Sequence, residues 1–440
     1  MLSPYSLDRV ATQFDDDHAI AYAGLIQPAT LARNLGLREL FDTHVGLGSA
    51  PGRANVGHKA MTLIHSALAG GECIDDADAL RAGRTAAMLG HELRAPSTLG
   101  TFLRSFTWGH VRQLDRVTRE LLARAWQAGA GPEGEAVTID IDSTICETYG
   151  LAKQGGKFGY SGVRGYHPLL ATIAGSGEVV HSRLRGGNAN SGRGAASFVA
   201  ETFKRVRNAG ATGPLTLRAD SGFYSRAVVG ACRRAEVRYS ITARLQPGLR
   251  QAIEAIPEED WTAIPYWQEG GADVAEIAYA PFGQKHQARL IVRRVRPTPG
   301  TQLALLTNYS YHAFITDREG ELLDLEADHR RHAEVENVIR DLKYGVGLNH
   351  LPSGRFAANG AWLVLNVIAH NLARWVVRIG LGPEASLTTR TLRRRLLCLP
   401  GRLTHSARRW TLHLPRDWPW ADAFLAILER LRALPQPLPT

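Results

Sequence analysis

Three acidic residues that are far apart in the sequence occupy positions at which a fold could bring them together. Asp142 ends the alternating segment VTIDID, in which apolar and polar side chains fall on opposite faces of a strand. Asp220 ends a second strand-like segment, residues 213–220, and Glu336 lies in a strongly helical segment, residues 325–343. Because the ends of neighbouring strands meet at one edge of a sheet, we expect Asp142 and Asp220 to lie close together, with Glu336 reaching the same cluster.

These residue types indicate chemistry that depends on a metal ion. Three carboxylates on an apolar sheet would repel one another unless they held a cation, and hard oxygen ligands suit Mg²⁺ or Mn²⁺. Two such ions about 3.5–4 Å apart can activate a water or a 3′-hydroxyl group and stabilise the leaving oxygen of a phosphodiester. We therefore expect Mg²⁺ as the cofactor, with Mn²⁺ as an alternative, and a phosphodiester as the substrate.

Each acid also has an ordinary structural interpretation. A strand-end aspartate such as Asp142, followed by Ser-Thr, is typical of an Asx-turn, and Asp220 before Ser-Gly could equally be a turn residue. Glu336 could be a solvated residue, or could form an ion pair with Arg340 or Lys343 on its own helix. The order and placement of all three acids together favour the metal site.

The segments around these acids predict an α/β unit with a mixed sheet. Residues 1–130 have helical spacing, including a predicted helix over 96–126 with Ser97 as its cap, and residues 129–136 form a turn-rich boundary. Residues 245–319 read as a β-rich insertion before the helix of Glu336. Between these regions the predicted order is β-β-β-α-β-α-β. The predicted strands are 136–142, 166–174, 178–185, 213–220 and 237–244, and the predicted helices are 193–210 and 224–236.

The charge of the chain favours a polyanionic partner. The 440 residues carry a formal net charge of +10, and nucleic acid is the first candidate for such a basic chain. Residues 371–410 contain nine arginines and one acidic residue, Glu384. The arginines are densest in residues 389–410, so we expect phosphate contacts there, with a solvated helix face as the alternative. The candidates for these contacts are Arg393, Arg394 and Arg395.

Cysteine spacing and hydropathy argue against two other kinds of protein. The four cysteines are far apart and have no paired spacing, which argues against a zinc ribbon or a disulfide framework and fits a reducing cytoplasm. The first twenty residues show no signal-peptide pattern. The most apolar long stretch, residues 361–377, contains Asn366, His370 and Arg374, so we expect a buried helix and no membrane span.

Five motifs together resemble a known family, the bacterial insertion-sequence transposases of the DDE type. The resemblance covers roughly residues 50–430, and the long gap between Asp220 and Glu336 matches the branch with a β-rich insertion before the last acid. It implies a ribonuclease-H-like mixed sheet with flanking helices, a β-rich insertion and a helical N-terminal domain. The motifs are DIDST (140–144), GYHPLLA (165–171), RGGNANSG (185–192), LRADSGFYS (217–225) and HAEVENVIRDLK (332–343).

The resemblance places the family's three metal-binding catalytic acids on Asp142, Asp220 and Glu336. Asp140 lies on the same strand face, but the position two residues before Thr144 is the one that matches. The implied reaction is cleavage at the element's end by water, followed by joining of the freed 3′-hydroxyl group to target DNA. A catalytically inactive DNA-binding derivative and a metal-dependent nuclease that never joins DNA are the alternatives.

The helix with the third acid departs from the family pattern. Many relatives have Tyr-x-x-Arg-x-x-x-Glu followed seven residues later by Lys, and here His329 and His332 take the Tyr and Arg positions while Lys343 matches. Lys343 would contact a phosphate, and Arg330, Arg331 or a protonated His332 would replace the missing arginine as a DNA contact. The alternative is that the two histidines only pack or form hydrogen bonds.

The insertion carries aromatic residues that the resemblance connects with DNA. In the hairpin-forming branch an aromatic of the insertion can hold a flipped base, which makes Trp261 and Trp267 candidates. The alternative for each is a core or edge aromatic.

The resemblance also implies a division of labour along the chain. Residues 1–130 are expected to bind the element's terminal inverted repeats, 131–244 with 320–380 to form the split catalytic core, and 245–319 to form the insertion. Residues 381–440 are expected to contact DNA or to dimerise. The implied partners are double-stranded element ends and target DNA, bound by a homodimer, and the implied location is the bacterial cytoplasm at the nucleoid.

Overall fold

The computed structural model describes residues 10–159, 161–265, 271–283, 287–297 and 309–435. Trp267, one of the two tryptophans proposed to hold a base, lies outside these residues.

The chain begins with a helical region, as expected. Its helices are α1 (Ile26–Asn34), α2 (Leu37–His44), α3 (Val56–Ala69), α4 (Thr85–Leu89), α5 (Pro96–Arg104) and α6 (Trp108–Ala125), preceded by a short strand β1 (Ala19–Ile20). The predicted single helix over 96–126 is wrong, because it is two helices. Pro96 occupies the first turn of α5 after Ala95, so Ser97 is not the cap. Thr107 caps α6 by accepting a hydrogen bond from the backbone amide of His110.

The central sheet follows the predicted order of elements. Its first seven elements in sequence are β2 (Val137–Ser143), β6 (Leu169–Ile173), β7 (Val179–Arg183), α7 (Ala195–Ala209), β8 (Leu215–Ala219), α8 (Arg226–Arg234) and β9 (Arg238–Thr242). Three short strands, β3 (Cys146–Glu147), β4 (Lys157–Phe158) and β5 (Arg164–Tyr166), form a small separate sheet between β2 and β6.

The spatial order of these strands is that of a ribonuclease-H-like core. The neighbours are β7-β6-β2-β8-β9, so the first three strands of the core are antiparallel and β8 and β9 run parallel to β2. The strands of the core, counted along the chain, therefore stand in the order 3-2-1-4-5. The expected α/β fold with a mixed sheet and flanking helices is confirmed.

The β-rich insertion continues the same sheet. It contains α9 (Pro247–Glu254), β10 (Thr262–Ala263), β11 (Ala272–Tyr279), β12 (Ala288–Val295) and β13 (Ser310–Thr316). Strand β13 pairs antiparallel with β9, with Ile315 opposite Ile241, which makes nine strands in all among the described residues. A small second core that includes Ile291, Phe314 and Leu325 packs beside these strands. The insertion is therefore held against the five strands of the core by backbone hydrogen bonds.

The predicted helix over 325–343 is also two helices. They are α10 (Leu322–Arg330) and α11 (Glu334–Gly345), separated by a 3₁₀ turn at Arg331–Ala333. The turn places Glu336 in the first turn of α11.

A long buried helix joins the N-terminal region to the sheet. This helix, α12 (Phe356–Leu381), contacts α3, α5, α6 and β7. The side chain of Asn371 accepts from the backbone amide of Val179 and donates to its carbonyl, both at 2.8 Å, which occupies the outer edge of β7. No helix in the described part of the chain is long and apolar enough to cross a membrane.

The basic C-terminal region folds onto the rest of the chain. It consists of α13 (Thr389–Leu392), a π-helical turn at Arg393–Leu397, strands β14 (Gly401–Ser406) and β15 (Arg409–His413), and α14 (Ala421–Ala433). Strand β14 pairs with β1, and the Asn34 side chain donates to the Leu431 carbonyl at 2.7 Å. The arginine-rich segment is thus a short helix and a hairpin, where a single helix face was one expectation.

Candidate active site

The parallel pairing of β2 with β8 brings the first two acids to adjacent strand ends. Ile141 lies opposite Ala219 in this pair, so the next residues, Asp142 and Asp220, stand at the same level. The Asp142 carboxylate accepts a hydrogen bond from the Ser143 amide at 2.6 Å. The Asp220 carboxylate accepts one from the Gly222 amide at 2.9 Å, which is the Asx-turn that the sequence left open. The turn fixes Asp220 without using its second carboxylate oxygen.

The third acid completes a concentration of negative charge. Glu336 is exposed on α11, and it forms no ion pair with Arg340 or Lys343 in the described structure. Burial raises the pKa of Asp142 to about 6, and the negative charges of Asp220 and Glu336 act in the same direction. The three acids, which we call the acid layer, therefore lie close enough to interact electrostatically.

The acid layer suits a hard divalent cation in its chemistry. Within the described ranges, no three Asp, Glu, His or Cys side chains already form a group that could hold a metal ion. Burial and the neighbouring charges of Asp220 and Glu336 nevertheless raise the pKa of Asp142 in spite of the opposing influence of His332, so a cation bound at these acids would be favoured. Carboxylate oxygens are the ligands that Mg²⁺ and Mn²⁺ prefer. The donor set fits such an ion, with Glu336 as the most exposed of its donors.

A second cluster lies directly below the acid layer and is fully paired. Asp140 is 2% exposed and accepts two hydrogen bonds from the Arg218 guanidinium, both at 2.8 Å. The His332 ring nitrogen Nδ1 lies 2.9 Å from the same carboxylate. Although burial alone would raise it, the hydrogen bonds from His332 and Arg218 hold the pKa of Asp140 below its usual value. We call Asp140, Arg218 and His332 the anchor layer.

Each residue of the anchor layer precedes an acid of the acid layer by about one structural period of its segment. Asp140 and Arg218 each lie two residues before an acid of the acid layer on β2 and β8, which is one strand period. His332 lies four residues before Glu336, about one helical turn. The anchor layer therefore links β2 and β8 to the 3₁₀ turn that directly precedes α11.

The anchor layer also reaches the end of the insertion. Arg218 donates to the backbone carbonyl of Asp328 at 2.6 Å and to its carboxylate at 3.0 Å. Arg318, just after β13, pairs with the same carboxylate. Asp328 on α10 thus connects the core strand β8 to the last strand of the insertion.

His329 and His332, the two histidines that differ from the family pattern, both contact other residues of the protein. The His329 ring is stacked on Phe314 at 3.9 Å between centroids and lies 2.7 Å from the Ser240 hydroxyl and 3.0 Å from the Thr242 hydroxyl. Burial lowers the pKa of His329 well below its usual value, so the ring is neutral. His332 directs Nδ1 at Asp140, and only its other nitrogen is left for DNA. The packing alternative describes His329, and His332 serves mainly as an anchor.

The other basic candidates near Glu336 differ in their surroundings. Lys343 donates to the Ile145 carbonyl at 2.8 Å, which places its ammonium group just beyond the end of β2. Arg330 pairs with the buried Glu326 at 3.7 Å, and Arg331 forms an exposed pair with Glu334 at 3.0 Å. Lys343 is the candidate best placed for a phosphate near the acids, since an ammonium group has three donors.

Trp261 lies on the insertion, away from the acid-bearing strand ends. The guanidinium of Arg294 lies 4.3 Å from the centre of its ring, and the ring of Tyr311 lies at 6.3 Å. Arg294 in turn pairs with Glu258 and Asp273. These contacts hold Trp261 as a partly buried edge aromatic.

The three arginines of the run differ in their contacts: Arg393 and Arg395 are partly buried, and Arg394 is exposed. Arg393 donates to the backbone carbonyls of Leu68 at 2.9 Å and Ala67 at 3.1 Å, and burial lowers its pKa. The Arg393 guanidinium therefore ties α3 to the C-terminal region, and a phosphate contact by Arg393 stays a prediction. Arg394 is exposed, and the Arg395 guanidinium lies 5.5 Å from the centre of the Trp420 ring.

One loop beside the acids was not assigned from the sequence. Arg185 is buried and donates to the carbonyls of Asn190 and Ser191, which shapes the RGGNANSG segment. The Ser191 hydroxyl lies 3.1 Å from that of Ser143, next to Asp142. A Cβ atom on Gly222 would lie 2.6 Å from the Ser191 Cβ atom, so only glycine fits there. The glycines of this motif are the sequence signal that could have identified the loop. Its partners beside the acids, Ser143 and Gly222, could not be predicted from the sequence.

Comparisons with known proteins show the family of this chain and a likeness to one solved structure. A family model described as transposase DDE domain group 1 matches residues 2–436. A search of curated proteins found no match. Among solved structures, the piggyBac transposase synaptic complex with hairpin DNA, seen by cryo-EM, is similar at 10% identity and a TM-score of 0.47. That match covers 86% of this chain and 79% of the other.

Proposed function

This chain belongs to the family of transposase DDE domain group 1, and from that premise we propose that it is the DNA transposase of a bacterial insertion sequence. It would cut the ends of its element and join the freed 3′-hydroxyl groups to target DNA. The observation that supports this most directly is the register of β2 and β8, which sets Asp142 beside Asp220 within the electrostatic reach of Glu336.

Asp142, Asp220 and Glu336 would together hold the divalent ion, Mg²⁺ or Mn²⁺. When bound, such an ion supplies charge neutralisation at phosphorus and an easier deprotonation of the attacking group. The carboxylates orient the reacting groups, and the anchor layer keeps α11 and the two strand ends at a fixed separation. Lys343 would contact a phosphate as a point charge.

One set of acids can serve both steps of the reaction. Cleavage by water and joining by a 3′-hydroxyl group are each an in-line displacement at phosphorus, so both need the same positioned groups. In this branch we expect a hairpin intermediate on the element end, with Trp261 or Trp267 holding a flipped base. The contacts of Trp261 with Arg294 and Tyr311 favour an edge role for it unless DNA displaces them.

DNA is the proposed partner, bound as terminal inverted repeats and as target. A homodimer on DNA is expected because two ends must be joined together. The N-terminal helices and the exposed arginines of the C-terminal region, Arg394 among them, are the proposed DNA contacts. The predicted location is the bacterial cytoplasm, at the nucleoid.

Strand transfer with purified protein tests the proposal. The assay would contain labelled DNA with the element's ends, a supercoiled target and Mg²⁺, beside Asp142→Asn, Asp220→Asn and Glu336→Gln. Glu334→Gln is the matched control, since Glu334 is an exposed acid two residues from Glu336 on the same helix. We expect joined product from the native and control proteins and none from the other three.

Two outcomes would overturn it. Cleavage without joining would indicate a metal-dependent nuclease. DNA binding without cleavage in Mg²⁺ or Mn²⁺ would indicate a catalytically inactive derivative.

A further inference from the structure

An exposed aromatic surface lies close to the acid layer. Tyr149 is 86% exposed and Tyr344 is 61% exposed, and Leu151 and Phe158 are exposed on the same small-sheet region. Large apolar side chains that are exposed next to one another mark interaction sites, whereas apolar side chains exposed singly are normal on a protein surface. Tyr149 follows β3 and Tyr344 lies near the end of α11, so two separate elements contribute to this surface.

The two tyrosines line one open groove. Its volume is about 700 Å³, which is within the usual range for sites that take a small ligand. Ile145, three residues beyond Asp142, and Lys343, seven residues beyond Glu336, both line the groove and contact each other at 2.8 Å. Seven helical residues correspond to about 10 Å, so this part of the groove lies about 10 Å along α11 from Glu336. We call the whole groove the Tyr149–Tyr344 groove.

Two lysines stand in this groove with donors to spare. Lys343 donates one hydrogen bond to the Ile145 carbonyl, and Lys153 donates one to the Leu351 carbonyl at 2.5 Å. Each ammonium group carries three hydrogens, and among the described residues two of them remain on each for another acceptor. The side chain of Arg164 donates to the carbonyls of Gly150 and Leu151, which holds the segment after Tyr149 in place.

The charge of the groove decides which ligand suits it. Glu72 and Glu147 also line it, so the two lysines are balanced by two carboxylates. Burial lowers the pKa of His350, which therefore adds little positive charge. Attraction for a phosphate backbone alone would be weak, and the exposed rings must supply much of the recognition. Exposed rings with little net positive charge favour an unpaired base as the ligand, because the bases of a duplex are already stacked on one another and cannot stack on the rings.

We propose that the Tyr149–Tyr344 groove binds an unpaired nucleotide of the DNA strand next to the cut, stacked on one or both tyrosine rings. The proposal rests on the proposed function, because it takes the strand at the acids to be DNA. Lys343 and Lys153 would contact the flanking phosphates. The groove would thereby hold the strand beyond the cleaved bond while the acids act on it.

Binding measurements without catalysis test this. An oligonucleotide duplex with a short unpaired segment that contains 2-aminopurine would be titrated with the native protein and with Tyr149→Ala and Tyr344→Ala, in Ca²⁺ buffer. We expect each substitution that removes a stacking ring to weaken binding by about five- to 150-fold, the equivalent of one stacked base. Tyr149→Phe and Tyr344→Phe keep the ring and should bind as the native protein does.

The controls separate this site from general DNA binding. A fully paired duplex should bind native and alanine variants within about twofold, since no base is free to stack. An equal loss for both DNAs, or no loss for either, would overturn the proposal.

Failure of the groove and failure of the proposed function give different results. If native protein joins DNA but the alanine variants bind unpaired DNA normally, only the groove is wrong. If the alanine variants change the sedimentation of the protein without DNA, the surface is a contact between copies of this chain, which also overturns the proposal. If no DNA of either kind binds the native protein, the proposed function itself is contradicted.

Discussion

The acid layer and the anchor layer use the same residue types two residues apart, and they differ in whether charge is compensated. Asp140 is buried against Arg218 and His332, and those hydrogen bonds outweigh burial and hold its pKa low. Asp142 lacks such a partner, and burial raises its pKa to about 6. A compensated carboxylate stabilises a fold, whereas an uncompensated one is available to a cation. This difference explains why β2 carries two aspartates on one face: Asp140 stabilises the fold, and Asp142 is available to a cation.

The largest expected difference between the layers is in stability. Asp140→Asn keeps the shape of the side chain but leaves Arg218 buried beside a neutral group. We expect the free energy of unfolding to fall by about 3–5 kcal/mol, as when one member of a buried ion pair is removed. Asp142→Asn, the matched change two residues along, should alter it by less than about 1 kcal/mol or stabilise the chain, since repulsion is relieved. Urea unfolding of the two variants measures this.

The distinction between the layers depends on which of the two variants loses more unfolding free energy. If Asp142→Asn destabilised the protein as much as Asp140→Asn, the division into compensated and uncompensated layers would be wrong.

A smaller effect is expected at the helix end of the anchor layer. His332→Ala removes the contact from the 3₁₀ turn before α11 to Asp140, and we expect a loss of about 1.5–3 kcal/mol in unfolding free energy, typical of a hydrogen bond to a charged group. Cleavage should slow by about tenfold, because each 1.4 kcal/mol of lost positioning is a factor of ten in rate. His332→Asn can donate from a similar position and should recover part of both.

Cleavage kinetics measured over a range of DNA concentrations separate positioning from DNA contact for His332. A rise in KM with kcat unchanged would mean that His332 binds DNA, as the family pattern implied, and does not position Glu336.

The sequence predicted the elements whose evidence is local. The alternation of apolar and polar residues predicted β2, and helical spacing predicted α7. Asp142 and Asp220 were predicted at strand ends because each directly ends a segment with a strand pattern. Partners distant in sequence were not predictable. His332 meets Asp140 across 192 positions, and nothing in either segment specifies the other. For the same reason the hydrogen bond from the Arg393 guanidinium to a backbone carbonyl 325 residues away was not predicted.

Boundaries inside helical segments were also beyond the sequence pattern. Residues 325–343 contain no glycine or proline that would mark the 3₁₀ turn at Arg331–Ala333, so α10 and α11 looked like one helix. That turn matters for the site, since it sets the direction in which Glu336 leaves α11.

Thermal unfolding with and without a divalent cation tests the central claim most directly. A ligand that binds only the folded state at 100 times its Kd stabilises it by about 2.7 kcal/mol. The native protein and Glu334→Gln should therefore show a higher Tm in Mg²⁺ or Mn²⁺, and Asp142→Asn with Asp220→Asn in one chain should show no such rise. An equal rise in the double variant would mean that the cation binds elsewhere and that the acid layer is not the metal site.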